Sequence, residues 1–170
     1  MRNYLAVFAI VVSANAAAAA ASFDAPKRKS GLWEIKAANS GGPGGQTMQQ
    51  CIDEKTDDLT KNDMAGKDQS CSKTESRKEG EKIVSESVCK IMNSTVKSRA
   101  VFTGRLDSAY KAEIKSTYEP PLNGMKESAT TIEGKWLGAC KPGQKAGDIS
   151  VPGMPNINIQ DMMKNMPKLP

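Results

Sequence analysis

The chain has 170 residues, 24 Lys and Arg against 19 Asp and Glu, and no histidine. Without imidazole there is no Ser-His or Cys-His nucleophile and no His-ligated metal. Three Phe, three Tyr and two Trp are too few to interleave with a basic stripe, so a nucleic-acid surface is also excluded.

Met1 to about Ala21 reads as a secretory signal peptide. Arg2 gives the positive start, Tyr4 to Val12 the apolar stretch, and Ala14 to Ala21 several Ala-x-Ala sites. The apolar run is too short to span a bilayer. The expected mature chain is therefore a periplasmic single domain with no transmembrane segment, carrying 23 basic and 19 acidic residues. Lys27-Arg28-Lys29 is a lone basic run and reads as a solvated start to the domain. Gly31 to Lys36 is the first strand signal, since Trp33 and Ile35 alternate with Glu34 and Lys36. Asn39 to Gly45 is a glycine-rich loop, but Gln46-Thr47-Met48 follows where a P-loop needs Gly-Lys-Ser/Thr. Gln46 to Ile52 is a second strand. Asp53 to Lys67 is polar, and a short helix capped near Asp53 is expected, with Leu59 and Met64 facing inward.

Ser70 to Met92 reads as a long hairpin about Lys78-Glu79-Gly80-Glu81, and Asn93-Ser94 turns the chain into the next strand. That turn would set Ile91 opposite Val96 and Cys89 opposite Ser98. From Val96 to Leu106 and again from Tyr110 to Tyr118, every second residue is apolar or small, the period of a strand with one buried face. Both apolar sets are even-numbered and must share a face, so the loop between them holds an odd number of residues. A loop of Asp107 to Ala109 would pair Leu106 with Tyr110 and Phe102 with Ile114. A further strand runs from about Lys126 to Leu137, with Ile132 and Trp136 on one parity. The expected inward set is Trp33, Ile35, Met48, Ile83, Ile91, Val96, Phe102, Leu106, Tyr110, Ile114, Tyr118, Ile132 and Trp136. Lys141 to Pro170 is rich in Pro and Gly and reads as a mostly disordered tail.

Four cysteines in an exported chain imply two disulfides, with three connectivities open. If the hairpin turns at Gly80, Cys71 and Cys89 lie opposite each other, which leaves Cys51 with Cys140. No Cys-x-x-Cys knuckle is present, which argues against zinc.

Candidate chemistry is sparse. Ser-x-x-Lys occurs at Ser70/Lys73, Ser87/Lys90, Ser94/Lys97 and Ser108/Lys111. These lie in expected strands and turns, where positions three apart face opposite ways. Asp57/Asp58 and Glu79/Glu81 read as solvated carboxylates. Met154, Met162, Met163 and Met166 cluster in the tail; thioethers are soft ligands suited to Cu(I), and Met162, Met163 and Met166 equally give a helix one sticky face. No catalytic residue and no cofactor is assigned.

Lys29 to Glu34 with its Gly-Leu-Trp-Glu, the Gly/Pro-rich loop, Gln50-Cys51-Ile52, two mid-chain cysteines and the closing Gly134-Lys135-Trp136-Leu137-Gly138-Ala139-Cys140 together resemble an exported bacterial family catalogued as domain of unknown function 3617. The resemblance spans roughly Lys27 to Cys140 and implies a periplasmic, disulfide-bearing β domain with no established activity. The expected fold is mainly β: an antiparallel meander of about seven strands, a sandwich or half-open barrel, disulfide-stapled, with one short helix over residues 27–140. The expected function is non-enzymatic binding of an envelope protein or a small apolar ligand. Met-mediated Cu(I) handling, or an enzyme of unrecognised type, is the alternative.

Overall fold

The computed structural model describes residues 27–39, 45–57, 59, 70–158 and 161. Nine strands are found among them: β1 (Gly31–Asn39), β2 (Gln46–Ile52), β3 (Ser70–Glu79), β4 (Lys82–Ile91), β5 (Ser94–Arg105), β6 (Ala109–Leu122), β7 (Met125–Gly138), β8 (Asp148–Ser150) and β9 (Ile157–Asn158). They form one open antiparallel sheet in the order β3-β4-β5-β6-β7-β1-β2-β8-β9. The meander from β3 to β7 is as the alternation requires. It then continues onto β1 rather than back onto a second layer, so the expected mainly β, antiparallel fold is one open sheet, without the two layers of the sandwich form.

Alternation places the residues correctly by face. Trp33, Ile35, Ile52, Phe102, Tyr110 and Ala112 form the buried cluster, with Met48, Leu59, Ile83, Leu106, Ile132 and Trp136 packed against it. Val96 is buried, while Ile91, Ile114 and Tyr118 are half-buried farther along the same face. Val84, only 1% exposed, is buried on the opposite face, level with Arg77 and Val101 in the ladder.

Two registers differ from those expected, each by two residues. The β5–β6 loop is Leu106 to Ser108, so Phe102 opposes Ala112 and Gly104 opposes Tyr110. Gly104 has φ +86°, and a Cβ there would sit 2.6 Å from the Ala109 carbonyl oxygen. That glycine starts the bend early and leaves Leu106 to pack as a turn residue. At the other end Met92-Asn93 is the turn, so Ile91 opposes Ser94 and Cys89 opposes Val96. Met92 takes the positive φ, +52°. Ser94 stays in the strand, 2% exposed, and donates from Oγ to the Pro120 carbonyl at 2.8 Å. A slip of two keeps every side chain on its face, so the alternation could not reveal it.

The β3–β4 hairpin closes on Glu79 opposite Lys82 around Gly80-Glu81. Continued unchanged, that register would bring Cys71 opposite Lys90. A bulge at Ser72 shifts the ladder by one residue and sets Cys71 opposite Cys89. Disulfides join Cys71 to Cys89 and Cys51 to Cys140.

Near Asp53, where a helix was expected, the described residues make one turn. The N–H groups of Thr56 and Asp57 donate to the Asp53 carbonyl, and that of Lys55 to Asp53 Oδ1. Residues 60–69, with Met64, lie outside the described residues. So does the expected signal peptide. Residues 27–158, as described, contain no helix. Composition read 141–170 as a tail, but β8 pairs with Gln49 and Gln50 of β2, and β9 pairs with β8. Asn158 Nδ2 donates to Asp148 Oδ1 and to the Ala146 carbonyl, tying that hairpin together. No helix among the described residues is long and apolar enough to cross a membrane.

Candidate functional site

Three surfaces hold the chemistry. The first is buried. Arg28 is 7% exposed and Asp57 9%. Arg28 Nη2 donates to Asp57 Oδ1 at 2.7 Å, Nε to Oδ2 at 3.2 Å, and the Arg28 backbone N–H to Oδ2 at 2.6 Å. Nη1 donates to the Tyr110 hydroxyl at 3.5 Å. Sequence reasoning placed both charges in solvent, and the structure corrects this. Each needs a partner 29 residues away, so neither could be read as buried from its neighbours. Burial opposes the Arg28 charge and is the largest single effect, yet Asp57 and Tyr110 together outweigh it and hold the guanidinium above its ordinary pKa. Burial also pushes the Tyr110 hydroxyl up, with the Arg28 charge working against it.

This pair clamps the segment before β1 to the turn after β2 and to β6. Lys29 N–H donates to the Leu106 carbonyl, Trp33 Nε1 to the Lys29 carbonyl and Trp136 Nε1 to the Ser30 carbonyl. Lys29 Nζ stands 3.8 Å over the Trp136 ring. Both partners of the clamp saturate each other, and no buried polar side-chain atom among the described residues lacks a hydrogen bond. The arrangement is structural: it offers no free base, acid or nucleophile.

The second surface is a shallow concavity of about 360 Å³ on the outer face of β6, β7 and β1. Glu34 opposes Lys135, and Glu133 lies between Lys36 and Lys111 across the ladder. Gly134 is part of this lining; on the inner face a Cβ there would meet Tyr110 Cε1 at 2.1 Å, so only glycine lets the tyrosine ring cross it. Charges alternate over the concavity, and Lys111 is held at 2.7 Å by Glu113, which raises its pKa and lowers that of Glu113.

The third is the inner face beyond the buried cluster. Thr74, Ser87, Ser98, Ser116 and Ser128 are ladder partners in one row across β3 to β7. The Ser98 and Ser116 hydroxyls share a hydrogen bond at 2.8 Å, and Tyr118 OH and Ser128 Oγ share one at 3.0 Å. The four serines are half-buried. Ala100 and Ile114 border the row on one side, and Cys89, Val96 and Tyr118 on the other. Small residues at even positions were legible in the sequence; their alignment into one row required the registers.

Among the sequence candidates, Ser87/Lys90 and Ser94/Lys97 fall on opposite faces of β4 and β5. The Ser72 bulge puts Ser70 and Lys73 on one face, but Lys73 Nζ is paired with Glu75 at 3.1 Å. Met154 is 58% exposed on the turn after β8; Met162, Met163 and Met166 lie outside the described residues. Among the described residues no three Asp, Glu or Cys side chains are grouped to hold a metal ion.

The chain matches no curated protein and no solved structure. One family model, described as protein of unknown function (DUF3617), matches residues 28–140. Its limits run from the arginine of the buried clamp to the last cysteine, and the protein therefore belongs to that family.

Proposed function

We propose that this is a non-enzymatic, exported recognition domain that binds a partner protein or polar envelope component on the inner face of β3 to β7. The supporting observation is the hydroxyl row Ser87, Ser98, Ser116 and Ser128, half-buried between apolar neighbours. Such a surface supplies both apolar contact and hydrogen bonds, as a wet protein interface does. A carrier of small apolar ligands would need an enclosed apolar cavity, whereas the concavity described above is shallow and lined with Lys and Glu. The two disulfides suit an oxidising compartment.

A photo-crosslinking residue at Ser98 or Ser116, in cells expressing the full chain, is expected to trap one discrete partner. The same residue at Lys97 or Thr117, on the other face, is expected not to. Equal trapping from both faces, or none from Ser98 and Ser116, overturns the reading. Cu(I) handling is the second reading, supported by the four C-terminal methionines. It requires tight Cu(I) uptake that is lost when residues 154–170 are removed.

A further inference from the structure

The sheet stops without a described neighbour at β3 and at β9, and only β3, with ten residues against two, offers a long edge. An unpaired edge presents a row of N–H and C=O groups to any strand that fits. The turn Gly80-Glu81 closes on Glu79 and Lys82, so residues 79, 77, 75 and 73 bond toward β4. Thr74, Ser76 and Lys78 then direct their backbone groups outward. The Ser72 bulge ends the regular ladder, which leaves Lys73–Glu79 as a straight stretch of seven residues centred on Ser76.

We propose that β3 pairs antiparallel with β3 of a second copy of this chain, across a two-fold axis at Ser76. In that register Lys73 faces Glu79 of the second copy, Glu75 faces Arg77, and Thr74 faces Lys78. No like charges meet. Centring on Glu75 sets Glu75 against itself and Lys73 against Arg77. Centring on Arg77 sets Arg77 against itself and Glu75 against Glu79. A lysine- and glutamate-bearing edge repels most strands, but the charge order of this one is complementary to its own reverse. Ser76 is the hydrogen-bonded pair on the axis, with its neighbours Thr74 and Lys78 bonded to each other, giving about six backbone bonds between copies. The Ser76 hydroxyl, already 2.7 Å from that of Ser85, reaches its symmetry mate on the inner face. The hydroxylated surface thereby continues from one copy into the next.

An interface of one edge strand is smaller than a standard interface, so a dissociation constant on the order of 10–100 μM is expected. Sedimentation of the full chain, with both disulfides formed, should show a monomer–dimer equilibrium in that range. Glu75→Arg should weaken it at least tenfold at low salt, and Glu75→Arg with Arg77→Glu should restore it to within threefold. Thr74→Pro, which removes an outward N–H, should abolish it while circular dichroism stays that of the native fold. Ser76→Cys should form a covalent dimer on mild oxidation, and Lys126→Cys should not. A chain that stays monomeric to about 500 μM, roughly five- to fifty-fold above the expected constant, overturns the proposal. So does a charge swap that fails to restore pairing, or cross-linking through Lys126→Cys at the rate of Ser76→Cys.

Discussion

Replacing Asp57 by alanine strands the guanidinium of Arg28, a residue 7% exposed, and removes two of its three hydrogen bonds together with that of the Arg28 backbone N–H. The contact left is the Tyr110 hydroxyl at 3.5 Å, too long to compensate. Breaking a buried ion pair on one side costs about 3–5 kcal/mol, because the surviving charge stays desolvated. Arg28→Ala should cost less, toward about 3 kcal/mol, since the backbone N–H of residue 28 still reaches Asp57 Oδ2 at 2.6 Å. Arg28→Met with Asp57→Leu removes both charges and should recover more than half of the Asp57→Ala loss. Urea melts at pH 7, read from Trp33 and Trp136 emission, measure all three. A domain with ordinary stability of about 5–15 kcal/mol leaves room to resolve these differences. A loss under about 1 kcal/mol for Asp57→Ala, or a double variant worse than either single one, would refute the assignment of a buried clamp.

Loss of Cys71–Cys89, which spans 18 residues, should cost about 3 kcal/mol, and loss of Cys51–Cys140, which spans 89, about 4.6 kcal/mol by loop-closure entropy. Cys→Ser pairs compared by calorimetry test the order, and an unmoved thermal midpoint in dithiothreitol would contradict it. Gly134→Ala drives a methyl into the Tyr110 ring at 2.1 Å and should destabilise by about 1–3 kcal/mol; a neutral result in the same melts would show that the ring is free to move. Asp148 accepts from Asn158 and from the Lys145 backbone N–H, which holds its carboxyl below the ordinary 3.8. Its contribution is therefore complete above 3.8 and is lost as pH falls through the lower folded value. An NMR titration should show the Ile157 and Asn158 amides loosening in step with Asp148, and a carboxyl titrating at or above 3.8 would count against the β8–β9 tie.

The identity of β1 to β7, the buried face of β1, β2 and β4 to β7, and the odd β5–β6 loop were legible in the chain itself, whereas β8 and β9 were not. All follow from a period of two, which is a local property: Phe102, Ala112 and Trp33 declare their side whatever they end up opposite. Register is not local. Gly104 and Met92 each move a ladder by two residues without changing the alternation, and the Ser72 bulge moves one by a single residue in a stretch too polar to show it. The joining of β7 to β1 also lies beyond the pattern, because any strand with one apolar face can pair with any other. Least legible was the Arg28–Asp57 clamp. A charge looks solvated in sequence, and only the folded chain supplies the counter-charge that makes burying it tolerable.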